Sequence, residues 1–168
     1  MYKNLRCCII FGFFFTVIVG TLLHFAYDWS NHAFLVSLVA PVNESTWEHM
    51  KLLFFPMLLF SIFCISKQKS SYPNIVSGLF ANLLLGTFLI PIFFYTYTGI
   101  LGFDVFWLDI AVFILSSFFA FTSAYRLIQS GKLENCTYLL IGLVIILTIC
   151  FFLFTYFPPK IGLFKNPV

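Results

Sequence analysis

Three histidines and a cluster of acids hold most of the reactive chemistry in this sequence. His24, Asp28 and His32 recur at four-residue intervals, and the stretch PVNESTWEHMK, Pro41 to Lys51, adds Asn43, Glu44, Ser45, Trp47, Glu48, His49 and Lys51. Residues four apart share a face of a helix, so His24, Asp28 and His32 form one stripe if the helix continues that far. Imidazoles and a carboxylate at this spacing suit zinc or a similar divalent cation. His49 and Glu48 lie about one turn into the next expected helix, within reach of His24 if the two helices are neighbours. The expected centre is therefore a metal held by His24, Asp28 and His49, with Glu44 or Glu48 as acid/base for a bound water. Asp109, inside the apolar stretch FDVFWLDIAVF, is a further ligand or an orienter. An acid on a spanning helix costs roughly 2.5–3.5 kcal/mol at the centre and normally faces partners. Lys51, His24 and His49 are the partners expected for it.

Part of this cluster has a simpler explanation. Ser45 followed by Glu48 fits a capping box, and Pro41 stops any earlier helix from continuing. Glu44 and Glu48 also sit at the positive end of the helix dipole. Capping accounts for Ser45 and one carboxylate, but it needs neither the second glutamate nor Asn43, His49 and Lys51. No H-E-x-x-H, H-x3-H or nucleophile-elbow motif is present.

The elements that must position these residues are written in the composition. The chain has 168 residues, of which 61% are hydrophobic, 9% are charged and 25 are phenylalanine, with a mean hydropathy of +1.02. An ordinary soluble domain carries about 25% charged residues, and a chain this short cannot bury so much apolar surface. Lipid must solvate it, so the bilayer is its first partner. Crossing the hydrocarbon takes about 20 mainly apolar residues, and five segments qualify: Cys7 to Tyr27, Trp47 to Ser66, Asn74 to Tyr97, Val105 to Gln129 and Thr137 to Phe157. Backbone in lipid must satisfy its own hydrogen bonds, so these are helices, and no alternating pattern supports a barrel. The expected fold is all-α: a polytopic membrane helix bundle forming a single integral membrane domain over residues 1–168. Ala33 to Ala40 is too short to span and reads as an interfacial or re-entrant lid.

A net charge of +3, without a basic stripe, excludes a nucleic-acid partner. Lysine and arginine favour cytoplasmic loops. Placing the N-terminus inside puts Lys3, Arg6, Lys67, Lys69, Arg126 and Lys132 at the inner ends and leaves Lys51, Lys160 and Lys165 outside. The expectation is a multi-pass protein of the cell membrane, N-terminus cytoplasmic and C-terminus outside, with Trp29, Trp47 and Trp107 near the outer interface. The five cysteines read as small apolar packing residues, and no disulfide framework is indicated. Asn74, Gly78, Asn82 and Gly86 form a small, polar seam for close helix packing. Pro56 and Pro91 weaken the helices that contain them.

The segment from Gly20 to Pro56 resembles a family of small, uncharacterised polytopic membrane proteins of clostridia and related bacteria. His24, Phe25, Tyr27, Asp28, Pro41, Asn43, Glu44, Ser45, Trp47, Glu48, His49 and Lys51 carry the resemblance. It implies a bacterial membrane location and no assigned activity. From the residues themselves, the leading function is a metal-dependent membrane hydrolase or transferase acting on a lipid-like, amphiphilic substrate. A proton- or cation-coupled carrier or channel subunit, and a structural or regulatory membrane protein, are the alternatives.

Overall fold

The computed structural model describes residues 2–166; the side chains of residues 2–4, Lys3 among them, lie outside the described residues. Six helices follow in order: α1 (Tyr2–Trp29), α2 (Phe34–Ser37), α3 (Thr46–Gln68), α4 (Ile75–Leu101), α5 (Phe106–Ser130) and α6 (Thr137–Tyr156). Single 3-10 turns occupy Glu134–Cys136 and Gly162–Phe164, and no strand occurs among the described residues. All helices but α2 are long and apolar enough to cross a membrane. At 1.5 Å per residue, 20 helical residues cover the roughly 30 Å of hydrocarbon. This is the all-α bundle expected from the sequence, with the single-turn α2 inside the proposed lid.

Helices α1, α3, α4 and α5 form a ring: α3 and α5 each touch both α1 and α4, while α6 lies outside against α4 and α3. Because the spans alternate in direction, the ends of α1, α4 and α6 meet the beginnings of α3 and α5 at one end of the bundle. Helix α3 is the most enclosed, burying Met50, Leu53, Phe54, Met57 and Phe60 among its neighbours. The outward faces present Phe11, Phe14, Ile18, Ile62, Phe118, Ile145 and Ile146. A belt of this kind is solvated by lipid.

Small residues set how closely the ring closes. Gly12, Thr16, Gly20 and His24 fall at four-residue intervals along α1, a seam absent from the expectations above. A Cβ at Gly20 would collide with the Leu52 carbonyl oxygen on α3. That carbonyl is available because Pro56, four residues on, has no N–H to donate to it. The proline thus releases a backbone oxygen where α1 has no side chain, and the two backbones come together. On α4, the expected seam packs Gly78 against Ile128 and Gly86 against Ala120 and Leu53. Asn82 is buried, but its amide returns to the Gly78 carbonyl of its own helix at 2.7 Å and makes no interhelical bond.

Three expectations change. The His24, Asp28, His32 stripe stops at Asp28, because α1 ends at Trp29 and Asn31 and His32 take left-handed φ angles of 53° and 63°. Trp47, placed by sequence at the interface, is buried against Phe151, Phe154 and Phe164; Trp29 and Trp107 stay exposed. Cys8 and Cys64 form a disulfide joining α1 to α3, with Cα atoms 6.9 Å apart. They are separated by 56 residues, and only the packing of the two helices brings them together.

Gly20→Ala should lower stability by about 1–3 kcal/mol, the range for inserting a methyl group into a packed interface. Gly142→Ala, where a Cβ meets nothing within 4 Å, should leave stability unchanged or raise it. Thermal unfolding of the purified chain in detergent checks the pair.

Candidate metal centre

The connector from α2 to α3 is built from its own polar side chains. Ser45 caps α3 by accepting from the Glu48 N–H at 3.4 Å. The expected reciprocal bond from Glu48 to the Ser45 N–H is absent. Asn43 Oδ1 takes that N–H at 2.9 Å in an Asx-type turn. Glu48 turns inward, where Oε2 accepts from the Val42 N–H at 3.1 Å and from Lys51 Nζ at 2.7 Å.

Lys51 is fully buried, with relative exposure of 0%. Its ammonium also donates to the Ser37 and Ala40 carbonyls at 3.0 and 3.4 Å and to Thr155 Oγ1 at 2.6 Å. Thr155 lies 3.2 Å from Glu48 Oε1. The pair therefore ties α2, the connector, α3 and α6 into one joint. Ser37 and Tyr156 share a further hydroxyl contact between α2 and α6.

Glu44 projects from this connector toward the end of α1. Its Oε2 stands 3.3 Å from His49 Nε2 and 3.8 Å from His24 Nε2, and the two imidazole nitrogens are 3.3 Å apart. Among the described residues, this is the group of three His, Cys, Asp or Glu side chains whose ligand atoms all lie within 4.8 Å of one another. His24 and His49 are partly buried, and Glu44 is about two-thirds exposed. The hydrogen bond with His49 holds the Glu44 carboxyl below its usual range; burial opposes this, and charge on His49 and His24 assists. Glu44 is thus an anion at neutral pH.

The tautomer of His49 follows from its partner. Nδ1 lies 3.0 Å from the Ser45 carbonyl oxygen, which can only accept, so Nδ1 carries the proton. Nε2 faces the Glu44 carboxylate, so in the charged ring it donates to that carboxylate, and only on losing this proton does it offer a lone pair to a cation. Backbone orientation of the second ring nitrogen is the usual support of a metal-binding histidine. Two ligand atoms about 2.0–2.1 Å from a tetrahedral zinc stand roughly 3.3 Å apart, and two of the three separations match that value.

The other expected residues take separate places. Asp28 is exposed at the end of α1 and pairs with His32, Oδ1 to Nε2 at 3.3 Å, while Glu44 stands where Asp28 was expected beside the two histidines. Asp109 accepts from the Tyr97 hydroxyl of α4, which also takes the Val105 N–H at 3.3 Å. Asp109 also lies within Coulombic reach of His49. Tyr97 and Thr155 were missed by the sequence reading. Neither has a local motif, since each acts across a helix interface.

Fold and cluster together define a helical bundle suited to span a membrane several times, with a His/Glu donor set at one end. The chain belongs to a family of unknown function, DUF6512, whose family model matches residues 1–168. No curated protein and no solved structure matches it.

Lys51→Met leaves Glu48 buried without its cation and should cost about 3–5 kcal/mol. Adding Glu48→Gln should recover much of that loss. A double-mutant cycle by thermal or denaturant unfolding measures the coupling; additive losses would contradict the geometry above.

Proposed function

We propose that His24, Glu44 and His49 hold one divalent cation, zinc by donor chemistry. On this reading the chain is a membrane-embedded hydrolase or transferase acting on an amphiphilic substrate. The observation that supports it is the convergence of three ligand atoms at 3.3–3.8 Å, with His49 Nε2 oriented toward them by the Nδ1 contact with the Ser45 carbonyl. Three protein ligands leave a fourth position for water, and zinc brings the pKa of such a water to about 7. On the same reading Asp109, held by Tyr97 and within Coulombic reach of His49, takes a proton or orients the site. Glu48 has its carboxylate committed to Lys51, so its role is to fix the connector that carries Glu44.

The substrate class follows from the surroundings. Phe25 and Trp29 stack with centroids 5.7 Å apart, and Phe34 stacks on Tyr156 at 5.6 Å. Aromatic rings of this kind prefer the membrane–water boundary, with one side apolar and the other wet. A lipid-linked ester or phosphoester meets both conditions, its tail in hydrocarbon and its scissile group at headgroup level. The excess of cations at the opposite end supports an extracytoplasmic position for this centre.

Chain purified in detergent should carry about one tightly bound zinc, measured by elemental analysis. His24→Ala, His49→Ala and Glu44→Gln should each lower occupancy at least tenfold, whereas Asp28→Asn should retain it. Folded wild-type chain that stays metal-free after equilibration with zinc would overturn the proposal.

A further inference from the structure

The far end of the bundle holds a hollow with no part in the His/Glu cluster. It opens between α1 and α3, has a volume of about 560 Å³, and is lined by Phe11, Phe60 and Phe63 together with Lys67, Gln68 and Ser71. The phenylalanines form a continuous wall, with Phe60 centroids 6.0 Å from Phe11 and 6.3 Å from Phe63. Lys67 follows Phe60 by about two helical turns, or roughly 10 Å. An apolar trough therefore leads to a polar mouth at the end of α3, and the Cys8–Cys64 link pins the two helices beside it.

Charge at this mouth has one sign. Lys67 is exposed and has no carboxylate within ion-pair distance among the described residues. Lys69 follows it, and the connector to α4 contains no acid. Five of the six acids, Asp28, Glu44, Glu48, Asp104 and Asp109, belong to the other end. A lysine in the last turn of a helix also complements the dipole, but that role requires no trough of aromatic rings. Cation, hydroxyl and ring wall together match an amphiphile: phosphate at the mouth, acyl chain along the rings.

We propose that this hollow binds one anionic glycerophospholipid, its phosphate held by Lys67 and the Ser71 hydroxyl and one acyl chain laid against Phe11, Phe60 and Phe63. The lipid stands at the end opposite the His/Glu cluster and is a structural ligand there, not the substrate. Juxtamembrane basic residues select anionic headgroups in the same way, at about fivefold in affinity per lysine.

Native mass spectrometry of the full chain, with added phosphatidylglycerol or phosphatidylcholine, tests this. One phosphatidylglycerol should be retained per chain in preference to phosphatidylcholine, and it should raise the thermal midpoint in detergent. Lys67→Gln should reduce that retention about fivefold, Lys67→Arg should keep it, and Lys132→Gln, on a different connector, should leave it unchanged. Equal retention of the two lipids, or indifference to Lys67→Gln, would overturn the site. An identical midpoint shift from inorganic phosphate would also overturn it, since a free anion needs no aromatic wall.

Discussion

The Lys51 ammonium has to be neutralised inside the bundle, and the arrangement of this end of the molecule follows from how that is done. An isolated charge in a low-dielectric interior costs several kcal/mol unless it is paired and its protons are used. Lys51 has three protons and finds four oxygens, from Ser37, Ala40, Glu48 and Thr155. Two of these are backbone carbonyls of the lid, so the lid must fold down over α3 for the charge to be met. Glu48 then holds Val42 by its N–H, and Ser45 caps the helix. Glu44 lies between those two fixed points. Its approach to His49 is therefore set by a charge pair that never touches the cluster.

The other half of the cluster depends on how near α1 comes to α3. Pro56 frees the Leu52 carbonyl, and Gly20 lets α1 come against it. His24 is one turn beyond Gly20 on α1, and His49 is about one turn from Leu52 toward the same end on α3. A separation of 3.3 Å between their Nε2 atoms thus follows from a close backbone approach a turn deeper in the bundle. A side chain at position 20 would act on the imidazoles through this lever, without contacting either.

How much of this was legible in the sequence depends on whether the signal was local. The spanning helices are announced by runs of Phe, Leu and Ile that no other environment could solvate, and the start of α3 is announced by Pro41, Ser45 and Glu48. His24, Glu44 and His49 were all named from their types. The meeting of His24 with His49 was expected as well; Glu44 as their third partner was not, because Asp28 shares a helical face with His24 while Glu44 reaches it only through the folded connector. The inward turn of Glu48 was equally hidden: its local cue is a capping box, and the stronger demand of the Lys51 charge overrides it. Tyr97, Thr155 and the Cys8–Cys64 pair are contacts between distant segments, for which a single sequence carries no spacing rule.

The distribution of charge along the bundle bears on what kind of chemistry it supports. No Asp, Glu, Lys, Arg or His lies between Arg6 and His24 on α1, Lys51 and Lys67 on α3, or Asp109 and Arg126 on α5, and α4 and α6 have none at all. Among the described residues, the buried polar groups of the middle are the hydroxyls of Thr16, Ser61, Thr87, Ser116 and Ser117 and the amide of Asn82. Ionisable side chains inside a span commonly mark proton and ion paths; among the described residues the middle of the bundle has no Asp, Glu, Lys, Arg or His. The ionisable groups thus gather at the two ends: histidines and five of the six carboxylates with exposed aromatic rings at one, exposed lysines at the other. That separation leaves the ionisable side chains at the two membrane–water boundaries, where their charge is least costly. It also explains why the residues most costly to bury gather in the eleven positions from Pro41 to Lys51, where one charge pair holds the connector that carries the rest.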